Sequence, residues 1–90
     1  NLDTFGTSTY RGAKYFVSVN NTTTNEVQNS ELIVVHNGSA TFNTEYAIIK
    51  TNDSLATFDS DISSNNVRLL VTPASTSSTT FKVIRTSINT

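Results

Sequence analysis

The chain has one histidine, His36, three residues before Ser39 and nine before Glu45. Residues of these types can form a nucleophilic relay, in which a carboxylate orients an imidazole that takes the serine proton. The spacing works against it. His36-Asn37-Gly38-Ser39 contains Asn-Gly, the strongest short hairpin signal, because a type I′ turn needs positive φ at both central residues. A histidine and a serine flanking so tight a turn are poorly placed to attack a substrate, and no Gly-x-Ser-x-Gly elbow is present. The expectation is a strand-end histidine entering a turn. Asp59-Ser60-Asp61, with Asp53 nearby, offers carboxylate oxygens to calcium or an acid pair to a glycosidic bond. The helical-hand calcium pattern is absent, however, and aspartates between strands accept bonds from nearby backbone N–H groups. Sugar-cleaving sites also add aromatic platforms, and this chain has no tryptophan. No catalytic, metal or cofactor-binding residue is expected, and the chain is read as non-enzymatic. Arg68 and Arg85 stand among apolar neighbours, where they are expected either to pair with Glu31, Glu45 or Asp59 at a buried edge or to lie at the surface.

The elements that must position these groups are strands. Short β-branched and aromatic runs recur at 14–19, 31–36, 45–50, 55–58, 67–72 and 80–86, separated by Asn, Ser, Thr, Asp and Gly. That cadence predicts an all-β fold: a small antiparallel β-sandwich, jelly-roll-like, of about six to eight strands. Ala13, Tyr15, Val17 and Val19 alternate with Lys14, Phe16 and Ser18, as in a half-buried strand. Leu32-Ile33-Val34-Val35 is apolar at both parities, which predicts a central strand buried on both faces. Leu32, Ile33, Val35, Ile48, Leu69, Val71 and Val83 are the expected core. Residues 1–12 read as an arm, linker or edge strand, and 13–90 as one domain. Residues 20–30 read as a polar loop. Within it, Asn21, Thr22, Thr23, Thr24 and Asn25 form the candidate partner-contact loop.

Ninety residues suffice for one domain with a modest core. The net charge of -1 offers no basic excess to neutralise phosphates, so no nucleic-acid partner is expected. No apolar run approaches the roughly 20 residues of a membrane helix, so no membrane partner is expected either. Without cysteine there is no disulfide. The first residue is Asn1 rather than methionine, which points to a domain cut from a longer polypeptide. Roughly two fifths of the residues are Ser, Thr or Asn.

Several stretches taken in order carry a resemblance. They are Arg11-Gly12-Ala13-Lys14-Tyr15, Ser30-Glu31-Leu32-Ile33-Val34-Val35-His36-Asn37-Gly38, Thr44-Glu45-Tyr46, Leu55-Ala56-Thr57-Phe58-Asp59-Ser60-Asp61-Ile62, Val67-Arg68-Leu69-Leu70-Val71-Thr72-Pro73, and Thr79-Thr80-Phe81-Lys82-Val83-Ile84-Arg85-Thr86. From about Thr4 to Ile88 the series resembles a β-rich structural module of tailed bacteriophages, notably those of marine bacteria and cyanobacteria. The resemblance implies a virion component of the tail-fibre, baseplate or capsid-associated type, without catalytic residues. Its implied partners are other virion subunits, in a homo-oligomer such as a trimer. The alternative is a fibre-tip module that binds a host receptor or surface glycan through the 21–25 loop. Low charge fits dense packing of like subunits, since it weakens self-repulsion.

Overall fold

The computed structural model describes residues 2–74 and 78–90. β-branched and aromatic residues at alternate positions favour extended backbone, where their stiff side chains pack on a pleated surface. Among the described residues seven strands result: β1 (Asp3–Gly6), β2 (Tyr10–Asn21), β3 (Glu26–His36), β4 (Thr41–Lys50), β5 (Ala56–Ser63), β6 (Asn66–Pro73) and β7 (Thr79–Asn89). They form two antiparallel sheets, ordered β1-β6-β5 and β4-β3-β2-β7. The fold is therefore a small β-sandwich, 41 × 23 × 16 Å overall.

The core lies between the sheets. Ala13, Tyr15, Val17, Val19, Leu32 and Val34 come from the four-stranded sheet and meet Phe5, Ala56, Val67 and Leu69 of the other. Side-chain bonds tie both open edges of the sandwich. Where β4 meets β5, Ser60 Oγ lies 2.9 Å from Thr41 Oγ1 and 2.7 Å from the Asn43 carboxamide oxygen. Where β7 meets β1, the Arg85 guanidinium donates to Asp3 at 2.9 Å and to the Thr4 carbonyl at 3.3 Å. The same guanidinium stacks over the Phe5 and Tyr10 rings.

Three expectations need correction. Residues 20–30 are mostly not loop: β2 runs on to Asn21 and β3 starts at Glu26. The polar residues Asn21, Gln28 and Ser30 point inward and are buried, and Asn21 and Gln28 satisfy backbone N–H groups there. Gln28 Oε1, for example, accepts the Leu55 N–H at 2.7 Å and so fixes the crossover between the sheets. Second, Ile33, Val35 and Ile48 are not core but substantially exposed. Leu32 and Leu69 are buried, and Val71 and Val83 pack partly buried against the core. Third, the arginines find other carboxylates. Arg68 pairs with Asp61 directly across β5–β6, and Arg85 pairs with Asp3.

The pairing of β3 with β4 slips by one residue between Tyr46 and Ile49. Ala47 sits in this bulge at φ 52, the left-handed region that a Cβ disfavours. Ala47→Gly is expected to stabilise the domain by up to about 1 kcal/mol, the left-handed penalty less glycine's entropy cost. Chemical denaturation reads this directly, and a loss of stability would mean that the bulge is not populated.

Candidate interaction surface

The relay that the sequence suggested is not assembled. His36 ends β3 on its inner side and is buried. Its Nε2 lies 2.7 Å from the Tyr10 carbonyl oxygen, and its Nδ1 accepts the Gly38 N–H at 3.0 Å. A carbonyl only accepts and an N–H only donates, so these partners assign the proton to Nε2. Both nitrogens are taken, and neither is free for Ser39 or Glu45. Ser39 bonds through its hydroxyl to Asn37 Oδ1 at 3.1 Å, within the turn. His36→Phe keeps a ring beside Phe5 but strands the Tyr10 carbonyl and the Gly38 N–H. It should cost about 2 kcal/mol of unfolding free energy. An unchanged denaturation midpoint would show that these two bonds contribute nothing.

The aspartates are similarly engaged. Asp61 accepts from Arg68 Nε at 2.7 Å and from the second guanidinium nitrogen beside it. The Arg68 hydrogen bond holds the Asp61 carboxyl below its ordinary value. Asp59 Oδ1 accepts the Ser60 N–H at 2.8 Å, and Asp53 is exposed in the turn before β5. Among the described residues, no three His, Cys, Asp or Glu side chains gather where they could hold a metal ion.

The 21–25 segment is a tight turn and splits in two. Asn21 is buried, and its Oδ1 accepts the N–H groups of Thr23 and Thr24 at 3.0 and 3.3 Å. Thr22 is tied to the Ser78 carbonyl by its N–H at 3.0 Å and its hydroxyl at 3.1 Å. Thr22, Thr23, Thr24 and Asn25 are exposed, whereas Asn21 organises the turn from within.

The unexpected feature is the outer face of the four-stranded sheet. Strand pairing arranges its side chains in rows across β4, β3, β2 and β7. The first row is Phe42, Val35, Gly12, Ile88; the second is Thr44, Ile33, Lys14, Thr86; the third is Tyr46, Glu31, Phe16, Ile84. Phe16, Ile33, Val35, Phe42, Ile84 and Ile88 are each 40–66% exposed. The two aromatics present about 150–250 Å² each and the four Val and Ile side chains somewhat less, so at about half exposure the six together leave roughly 500–600 Å² of apolar surface in water. That is at the upper end of what a monomer ordinarily shows as one patch. Gly12 lacks a side chain and makes the floor of an apolar hollow of about 280 Å³, walled by Ile33, Val35, Thr86 and Ile88. The only charges in these rows are Lys14 and Glu31, which pair at 3.3 Å. Bonding to Glu31 raises the Lys14 pKa.

Further along the strands the same face turns polar. Asn29, Ser18 and Lys82 form the next row beside Ile49, followed by Val27, Asn20 and Thr80. A hollow of about 330 Å³ lies among Ser18, Asn20, Val27, Thr80 and Lys82. The carboxamide oxygens of Asn20, on its wall, and of Asn29, one row along, are buried without a hydrogen-bond partner among the described residues.

The alternation read from the sequence placed Phe16 opposite the inward residues of its strand without marking that side as a surface for a partner. The available signal was apolar residues at both parities of β2, β3 and β7. Neither a family model, nor a curated protein, nor a solved structure matches the chain.

Proposed function

We propose that this domain is a non-enzymatic structural module of a phage virion protein, of the tail-fibre or baseplate type, that packs against neighbouring subunits. The observation that supports this reading is the outward apolar face of the β4-β3-β2-β7 sheet. Water disfavours such a surface by roughly 25 cal/mol per Å² of apolar area, so covering it drives association. The polar groups nearest to chemistry, His36 and Asp61, are committed to structural bonds. An antibody raised against the domain tests the assignment on purified particles of the phage whose genome encodes it. Labelling at a fixed position on the tail or baseplate is expected; unlabelled intact and disrupted particles would refute it.

A second reading, glycan binding at a fibre tip, is favoured by the polar hollow. Carbohydrate hydroxyls can pair with the Ser18 and Thr80 hydroxyls and the Lys82 ammonium that line it beside Asn20. The exposed 22–25 turn carries less of this reading, because Thr22 is already bonded to Ser78. On a glycan array, binding that disappears in Asn20→Ala with the fold intact supports the hollow. Binding that survives Asn20→Ala but is lost on trimming 22–25 assigns recognition to the turn.

A further inference from the structure

We infer that the apolar face is covered by a second copy of this chain, related by a twofold axis that lies in the interface parallel to the strands, between β2 and β3. The inference rests on the assembly reading above and names its partner.

Area supports the first step. Two faces of roughly 500–600 Å² of apolar surface, with the polar groups among them, approach the roughly 1,600 Å² that a standard stable interface removes from water. Face-packed sheets lie about 10 Å apart with side chains interdigitated, and aligned sheets cross at about 30°. The central columns of the two copies therefore keep their register, while the outer ones shift slightly.

The row pattern chooses the axis. A half-turn about an axis along the strands exchanges columns: β3 faces the second copy's β2, and β4 faces its β7. In the first row Val35 then falls over the other copy's Gly12, so a side chain meets the one position without one. Phe42 meets Ile88, and in the third row Tyr46 meets Ile84. Lys14 and Glu31 occupy the two exchanged columns, so Lys14 falls over Ile33 and Glu31 over Phe16 of the other copy, and each Lys14 has the other copy's Glu31 one row along its column. The four charges then alternate around the axis. An axis perpendicular to the strands lays each column on itself instead. Centred on the first row, it puts Gly12 over Gly12 and leaves a void; centred on the second, it puts Lys14 over Lys14. Close packing rejects the first and charge the second, while a centre between the first two rows leaves Phe16 and Ile84 uncovered and one between the second and third lays the apolar first row over Asn29, Ser18 and Lys82. The twofold also differs from the trimer that the family resemblance suggests, because each face is fully used by one partner.

Sedimentation velocity of the purified chain, from micromolar to near-millimolar concentration, tests this. A monomer–dimer equilibrium is expected. Ile88→Lys, at an exposed position, should weaken it at least tenfold while circular dichroism and the melting profile stay those of the parent. Lys14→Glu and Glu31→Lys should each be monomeric alone and form a one-to-one heterodimer when mixed, because each then supplies the charge that the other lacks. A trimer, a monomer at all concentrations, or an Ile88→Lys variant that dimerises unchanged overturns the twofold. The particle-labelling result is independent of these outcomes. A monomer found on particles sinks this inference alone, and a dimer absent from particles sinks the virion assignment alone.

Discussion

Truncating Tyr15 to alanine is expected to cost about 3–5 kcal/mol, as for other large aromatics cut out of a packed interior. Tyr15 sits mid-β2 between Leu32 on β3 and Arg85 on β7, and its side chain is fully buried. Its hydroxyl donates to Asp3 Oδ2 at 2.8 Å, and the same oxygen accepts from Arg85 at 2.9 Å. One residue thus fills the core and anchors β1. Domains of this size have only about 5–10 kcal/mol of net stability, so Tyr15→Ala should leave the chain close to unfolded at 37 °C. Tyr15→Phe keeps the ring and should cost only about 1 kcal/mol. Alkaline pH gives an independent check. Burial first, then the Asp3 hydrogen bond, pushes the Tyr15 phenol far above its ordinary value. The folded state therefore holds a proton that the unfolded chain releases near pH 10. This stabilisation is complete below about pH 10 and is lost as pH rises from there through the folded value. Urea midpoints across that range should fall for the parent and fall less for Tyr15→Phe. Parallel curves would place the phenol in water.

Gly12→Ala is the second large effect, at about 2–3 kcal/mol. A Cβ at this position would stand 2.7 Å from the Val34 carbonyl oxygen and 2.8 Å from Val35 Cγ1. The first contact is with backbone and cannot yield without moving β3 away from β2. Gly6→Ala is the control: its Cβ would meet nothing nearer than Thr9 Oγ1 at 3.4 Å, an ordinary contact with a movable side chain. Equal losses at the two glycines would contradict the close approach at Gly12.

Much of the architecture was legible. Tyr15, Val17 and Val19 announce an inward face by alternation alone, and Asn37-Gly38 marks the hairpin between β3 and β4. Two things misled. Ile33 and Val35 look like core because a strand apolar at both parities is usually buried on both sides. Here only Leu32 and Val34 face the other sheet. A sequence does not distinguish a second core layer from a face left for a partner, since the same transfer free energy favours both. The 20–30 segment looks like loop because it is polar. Composition does not reveal that Asn21 and Gln28 have backbone partners waiting inside. The interaction surface was missed for a related reason: its members, from Gly12 on β2 to Ile88 on β7, are scattered in sequence and become neighbours only through strand pairing.

Radical footprinting with mass-spectrometric readout, performed on the chain at low and high concentration, tests the central claim most directly. Phe16, Phe42 and Ile84 should be labelled in dilute solution and protected at high concentration, while the exposed Thr22–Thr24 turn reacts equally in both. Protection of the turn with continued labelling of Phe16 and Phe42 would show that the chain associates elsewhere, and unchanged labelling throughout would show that this face stays in water.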